Sequence, residues 1–164
     1  MKYRFFIICF LILVISGIWV GYHSILENSP DITFTTITGK KITLKDWRGK
    51  AVLVNFWATD CKSCIEEVPD LIALYNKYHS QGLEMVAVTL YYDIPSHVVA
   101  MTKAKKIPYD VALDLRSAHA NAFGQVQLTP TTFLINPQGQ ISFKKTGVFD
   151  VNAMKKRIET LIQH

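Results

Sequence analysis

The sequence predicts an α/β domain with a mixed central sheet flanked by helices, preceded by one N-terminal membrane-spanning helix. Three observations carry this prediction. Two apolar, β-branched runs, AVLVNFWA at 51–58 and LEMVAVTL at 83–90, have the length and composition of buried central strands. Between them, residues 61–79 carry Ile65, Val68, Ile72 and Tyr75 close to helical spacing. Ahead of the whole domain, a stretch of 22 residues from Phe5 to Leu26 holds no charged side chain.

The remaining elements follow in order. ITFTTI at 32–37 and KITL at 41–44 flank the turn signal Gly39-Lys40 and form an N-terminal hairpin. After the strand at 83–90, Ser96 is a candidate cap for a helix running to about Lys105. VALDL at 111–115 reads as a short strand, and Ser117–Phe123 as a short helix with Gly124 just past its end. This helix-strand unit is inserted ahead of the closing elements. TTFLI at 131–135 and QISFKK at 140–145 flank NPQG, a hairpin signal. Asp150 then caps a last helix with Met154, Ile158 and Leu161 on one face. Alternating strands and helices imply a sheet with parallel portions and both faces covered. The closing hairpin adds antiparallel strands, so the sheet is mixed. No internal repeat or low-complexity stretch interrupts this order.

The apolar run FFIICFLILVISGIWVGY at 5–22 is long enough to span a bilayer as a helix. Lys2 and Arg4 hold residues 1–4 in the cytoplasm and place the following domain outside it, on the periplasmic or extracytoplasmic side. A cleaved signal peptide is the alternative. Bulky Ile18, Trp19 and Tyr22 occupy its cleavage region, and Trp19 and Tyr22 suit an interface belt. Ile8 before Cys9 is not small, so Cys9 is read as lipid-facing packing and not as a lipoprotein site. Residues 23–30 then form a linker and 31–164 the folded domain. Of 18 basic and 13 acidic residues, setting aside Lys2 and Arg4 leaves 16 against 13. That balance gives no charge-based case for nucleic acid. The clusters Lys103, Lys105, Lys106 and Lys155, Lys156, Arg157 read as solvated helix faces.

The chemistry lies in WATDCKSC, from Trp57 to Cys64. Two cysteines stand two residues apart between a buried strand and a helix, a redox context. The thiolate is the nucleophile, and a free cysteine near pKa ~8.5 supplies little of it at neutral pH. Unpaired N–H groups at a helix N-terminus favour the anion. Cys61 sits at that end and is exposed, whereas Cys64 lies one turn in and is shielded. Cys61 is therefore the attacking sulfur and Cys64 the resolving one. Lys62 adds to the stabilisation of a Cys61 thiolate and Asp60 opposes it. Two other readings of the pair stand beside this one. A zinc site would need two more ligands, and the five histidines are scattered. A structural disulfide would need no turnover.

The stretch GKAVLVNFWATDCKSCIEEVP resembles the thioredoxin superfamily, in particular its membrane-anchored TlpA/ResA-like branch. The resemblance covers about residues 30–163. Pro69, five residues after Cys64, matches the kinked active-site helix, and Gly147 the glycine after the closing hairpin. The helix-strand insertion matches this branch as well. Thr129-Pro130 resembles the cis-proline loop, and X-Pro is the bond with an appreciable cis fraction. The resemblance implies a thioredoxin-like fold and thiol-disulfide exchange with protein substrates. It implies that Pro130 packs beside the cysteines and that the Thr129 backbone pairs with an extended substrate. Trp57 and Asp60 join Thr129 and Pro130 as the expected substrate-binding residues.

Ordinary thioredoxins place an aspartate six residues before the first cysteine. Here that position is Asn55, which cannot titrate. The branch often carries a glutamate three residues after the second cysteine, and here that is Glu67. Positions i and i+3 share a helix face, so Glu67 can neighbour Cys64 and, if buried, shuttle a proton near neutrality. The alternative is a solvated glutamate such as Glu66. The chain departs from the family at Asp60, where an aromatic is usual. A carboxylate there either raises the Cys61 pKa or selects a basic partner.

The expected function is membrane-tethered thiol-disulfide oxidoreduction outside the cytoplasm. The resemblance favours the reductive direction, on apocytochrome c or a copper-site assembly protein, fed by a membrane electron donor. No organic cofactor and no metal are implied. A thioredoxin-like copper-binding assembly factor is the alternative, although such proteins usually carry CxxxC, and His97 and His119 are the candidate third ligands. A thiol peroxidase would need a threonine three residues before the nucleophile, where this chain has Ala58.

Overall fold

The computed structural model describes residues 26–163. The expected span at 5–22, with Cys9, lies outside the described residues. Among the described residues no helix is long and apolar enough to cross a membrane.

Strands β1 (Thr33–Thr35) and β2 (Lys41–Thr43) form the expected hairpin, with Phe34 opposite Ile42. It is a separate two-stranded sheet, bridged to the main one from Thr36 to Ala112. The chain continues as β3 (Ala51–Trp57), α1 (Lys62–Tyr78), β4 (Leu83–Thr89), α2 (Pro95–Ala104) and β5 (Asp110–Leu113). It closes with α3 (Ala118–Ala122), β6 (Thr131–Ile135), β7 (Ile141–Thr146) and α4 (Val151–Ile162). The five-stranded sheet has the order β5-β4-β3-β6-β7. β3, β4 and β5 are parallel, and β6 and β7 are antiparallel to their neighbours. The mixed sheet is thus as the alternation of elements implies.

The pleat sends successive β3 side chains to opposite faces. Leu53 and Trp57 join the layer under α1, α2 and α4, with Leu71, Leu74, Val98, Met154 and Ile158. Val52, Val54 and Phe56 join the layer under α3 and the N-terminal hairpin, with Phe34, Ala120 and Phe123. All seven β3 residues are buried, which explains the nearly continuous apolar run, interrupted only at Asn55.

Two local expectations change. Ser96 does not cap α2: the helix starts at Pro95, with Ile94 at the N-cap position and no side-chain cap. Proline's fixed φ suits a first helical position, so it takes over the start signal. The described part of the expected linker is also not free. Ser29 is buried, its N–H reaches Gly139 O at 2.9 Å, and Ile141 N–H reaches Glu27 O at 2.8 Å. Residues 27–29 therefore pack along the β6–β7 turn. Asp150 caps α4 as expected, accepting from Ala153 N–H at 2.6 Å.

Phe56 is fully buried and meets Phe123 and Phe133 edge-on. Phe56→Ala is expected to cost about 3–5 kcal/mol in urea unfolding. Leu115→Ala, at an exposed position, is expected to stay within about 0.5 kcal/mol.

Candidate active site

The site forms where β3 runs out. Beyond Trp57 the chain leaves the sheet, and Cys61 N–H bonds back to Ala58 O at 3.2 Å. This turn puts Cys61 at the N-cap of α1, in extended conformation, with its Sγ accepting from Cys64 N–H at 3.2 Å. A cysteine sulfur thereby occupies the place that a serine or aspartate oxygen takes in an ordinary cap. The same donor field would favour a thiolate at Cys61. Cys61 is partly exposed and Cys64 buried, as their positions on the helix imply. The two are joined as a disulfide, with Cα atoms 5.2 Å apart. Ser63 Oγ lies 3.5 Å from Cys61 Sγ. Lys62 is fully solvated and lies 3.9 Å from Glu66, so part of its charge is already engaged.

Glu67, one turn beyond Cys64, is only 3% exposed. Its Oε1 accepts the N–H of Phe149 at 3.3 Å, while Oε2 is buried without a hydrogen-bond partner. Burial pushes its carboxyl from the ordinary 4.5 up to about 7, opposed by the Phe149 N–H and the Asn55 amide and reinforced by the charge of Asp70. Asn55 is buried too and donates to Thr132 Oγ1 at 2.9 Å. A non-titrating amide thus stands on the sheet beside the acid supplied by the helix. Tyr109, buried nearby, has its hydroxyl pushed far up by burial, with the Glu67 charge adding to the rise.

The Thr129-Pro130 bond is cis. Gly147 holds this loop: at φ +86° it turns the chain after β7 and donates its N–H to Pro130 O at 2.8 Å. Two residues on, Phe149 holds Glu67. The short turn 147–149 therefore fixes the cis-proline loop and the buried acid together, with Val148 exposed between them.

One expected site residue is placed differently. Trp57 is 2% exposed and packs in the core layer with Cys64. It underlies the site and cannot offer substrate a surface, because both faces of β3 are covered and the pleat sends Trp57 into the layer that holds Cys64. Asp60 is exposed beside Cys61. His119 packs on Phe34 and lies 3.2 Å from both Asp114 Oδ1 and Thr33 O. His97 is an exposed residue of α2. Among the described residues no group of three or more His, Cys, Asp or Glu is placed to hold a metal ion.

Sequence reasoning missed Asp93. Its buried carboxylate receives both Thr59 N–H at 2.8 Å and Thr59 Oγ–H at 2.6 Å. The loop after β4 is thereby clamped to the loop that carries the cysteines. The only signal in the sequence was an acid at the C-terminal end of a parallel strand, where open α/β sheets gather their sites.

Fold and site together define a thioredoxin-like protein with a redox-active cysteine pair at the start of its first long helix. The Redoxin family profile matches residues 27–162, and the chain belongs to that family, within the TlpA/ResA-like branch of the thioredoxin superfamily. It is 34% identical over 145 residues to the thiol-disulfide oxidoreductase ResA of Bacillus cereus, covering 80% of this chain and 81% of the relative. The Bacillus subtilis ResA is 35% identical over 136 residues, covering 82% and 75%. Among solved structures, a thioredoxin-family thiol:disulfide interchange protein from Chlorobium tepidum superposes with a TM-score of 0.76 at 25% identity, covering 84% of this chain and 97% of the other. The protein is a thiol-disulfide oxidoreductase.

The raised Glu67 pKa has a signed consequence for stability. Between about pH 4.5 and 7 the folded protein keeps a proton on Glu67 that the unfolded chain has released. Stability from this group is full below that window, falls as pH rises through it and levels off above. Glu67→Gln should remove a pH-dependent contribution of up to ~3 kcal/mol, read from urea midpoints at pH 4 and pH 8.

Proposed function

We propose that this protein is a membrane-tethered reductase of protein disulfides, acting outside the cytoplasm with its domain anchored by residues 5–22. The observation that carries the exchange chemistry is Cys61 Sγ at the α1 N-cap, with buried Glu67 one turn beyond Cys64. Lys2 and Arg4 ahead of an uncharged stretch support the tether and its orientation. The resemblance to the membrane-anchored TlpA/ResA-like branch favours the reductive direction. A membrane protein is the electron donor, and apocytochrome c or a copper-site assembly protein is the substrate.

The steps balance as a two-electron exchange. The Cys61 thiolate attacks one sulfur of the substrate disulfide, and the other substrate sulfur leaves as a thiolate. A mixed disulfide now joins Cys61 to the substrate. Cys64 gives its proton to the Glu67 carboxylate, and its thiolate attacks Cys61 Sγ. The Cys61–Cys64 disulfide forms, the second substrate thiolate departs, and the substrate is reduced by the two electrons the protein gives up. A carboxyl poised near 7 is matched to that proton transfer at neutral pH. The cis-proline loop at Thr129-Pro130 docks the substrate backbone.

Equilibration of the full chain with glutathione or dithiothreitol buffers measures the potential of the Cys61–Cys64 pair. A value near or below about −230 mV is expected for a reductase, and one near about −120 mV would make the protein an oxidant. Cys64→Ser is expected to halt the reaction at the mixed disulfide, seen as a covalent adduct that dithiothreitol releases. Glu67→Gln is expected to slow resolution by about 10²-fold near pH 7 and to flatten its pH profile, with the first attack by Cys61 little changed.

A further inference from the structure

The residues that the exchange chemistry leaves over gather on one side of Cys61. The two hydrogen bonds that Thr59 donates to Asp93 hold Tyr92 near Asp60, since Asp60 follows Thr59 and Tyr92 precedes Asp93 in the chain. Tyr91 is 62% exposed and Tyr92 48%, their rings edge-on at 5.6 Å. Tyr92 lies within electrostatic reach of Asp60 and close to Thr129. Burial raises its pKa, the charge of Asp60 adds to the rise, and a hydrogen-bonding contact with Thr129 opposes it. The Thr59–Asp93 bonds thus bring the loop that carries Tyr92 against the loop that carries the attacking cysteine. Leu128, just before that loop, is exposed as well. Beyond the tyrosines runs an open cleft of about 540 Å³, with the amides of Asn121, Gln125 and Gln127 along its wall.

The charges here are unbalanced. Lys62 faces Glu66, and Asp93 is committed to Thr59. The carboxylate of Asp60 is exposed and takes part in no ion pair among the described residues. An exposed carboxylate beside an exposed aromatic face is a fit for a cation, through the ion pair and through attraction to the ring.

We propose that Asp60 and Tyr92 form a cation-selecting subsite beside Cys61, which favours polypeptide disulfides whose cysteine is flanked by lysine or arginine. The proposal rests on the exchange reading of Cys61 and names the substrate class for that same site. The cationic side chain lies against the Tyr92 ring with its charge toward Asp60. The substrate backbone continues past Thr129, and the amides of the cleft meet its peptide groups. Asp93 acts as a positioning residue, since the bonds it accepts from Thr59 hold the two loops together.

The test uses the reduced full chain in neutral detergent micelles and three cysteine peptides, each blocked as a mixed disulfide with thionitrobenzoate. The cysteine is flanked by arginines, by glycines or by glutamates, and release of the coloured thiolate gives the rate. Each rate is divided by that of the same peptide with dithiothreitol, which removes the intrinsic reactivity of the peptide. The arginine peptide is expected to outrun the glutamate peptide by about tenfold at low salt, and the ratio to shrink toward unity in 0.5 M salt. Asp60→Asn should reduce the ratio to about twofold or less, and Asp60→Lys should invert it. The ratio is read because removing Asp60 also changes the Cys61 thiolate, which affects all peptides alike. Tyr92→Ala should lower the arginine preference about two- to threefold, with Tyr92→Phe retaining it. A wild-type ratio near one, or a ratio that survives in Asp60→Asn, overturns the subsite. Failure to release the thiolate from any peptide, the glycine one included, would instead overturn the exchange reading.

Discussion

The burial of β3 on both faces is the constraint on which the rest depends. With all seven residues buried between β4 and β6, the strand has no freedom to slip, since a one-residue shift would turn Leu53 and Trp57 into the opposite layer. The chain must leave the sheet after Trp57, and its first free polar groups are those of the WATDC loop. α1 begins at Lys62, with Cys61 as its cap. A reactive sulfur at a helix N-terminus is thus fixed by the packing of a strand several residues earlier. The antiparallel neighbour β6 starts just after Pro130, so the same register brings the cis-proline loop to this end of the sheet.

Two opposite electrostatic effects then meet on one helix. At the N-cap, Cys61 sees N–H donors and solvent, which favour an anion. One turn past Cys64, Glu67 sits in an apolar layer whose desolvation outweighs the Phe149 N–H and the Asn55 amide and favours the neutral acid. The first makes a nucleophile and the second a proton carrier. Neither effect needs an unusual residue. The difference lies in where the side chains point and in what covers them. The turn at 147–149 contributes to both, by bonding Pro130 on one side and Glu67 on the other. It is a place where a small backbone displacement would disturb substrate docking and proton transfer together.

The features legible in the sequence were local ones. The strand at 51–57, the helix that follows it and the cysteine pair between them are encoded by periodicity and by adjacency in the chain. Glu67, Gly147 and Pro130 were legible through the family resemblance, and the helix face shared by i and i+3 supports Glu67 as a neighbour of Cys64. The contacts that were not legible join distant segments. Asp93 meets Thr59 across 34 positions, and Phe149 meets Glu67 across 82. Trp57 was legible as part of the motif, yet its burial follows from the covering of both faces of β3 by other elements. Ser96 had the chemistry of a cap, but the proline before it had already started the helix.

By itself the sequence determined the order of elements, the redox pair and its place at a strand-to-helix junction. These depend on spacing, and spacing survives in one dimension. Tertiary structure decided which carboxylate is dry enough to carry a proton at neutral pH, as between Glu66 in solvent and Glu67 beneath Phe149. It also decided that the loops of Asp60 and Tyr92, 32 positions apart in the chain, are clamped together through Thr59 and Asp93. Desolvation and charge proximity are set by whichever segments close over a group, and those segments are assembled only when the sheet has formed.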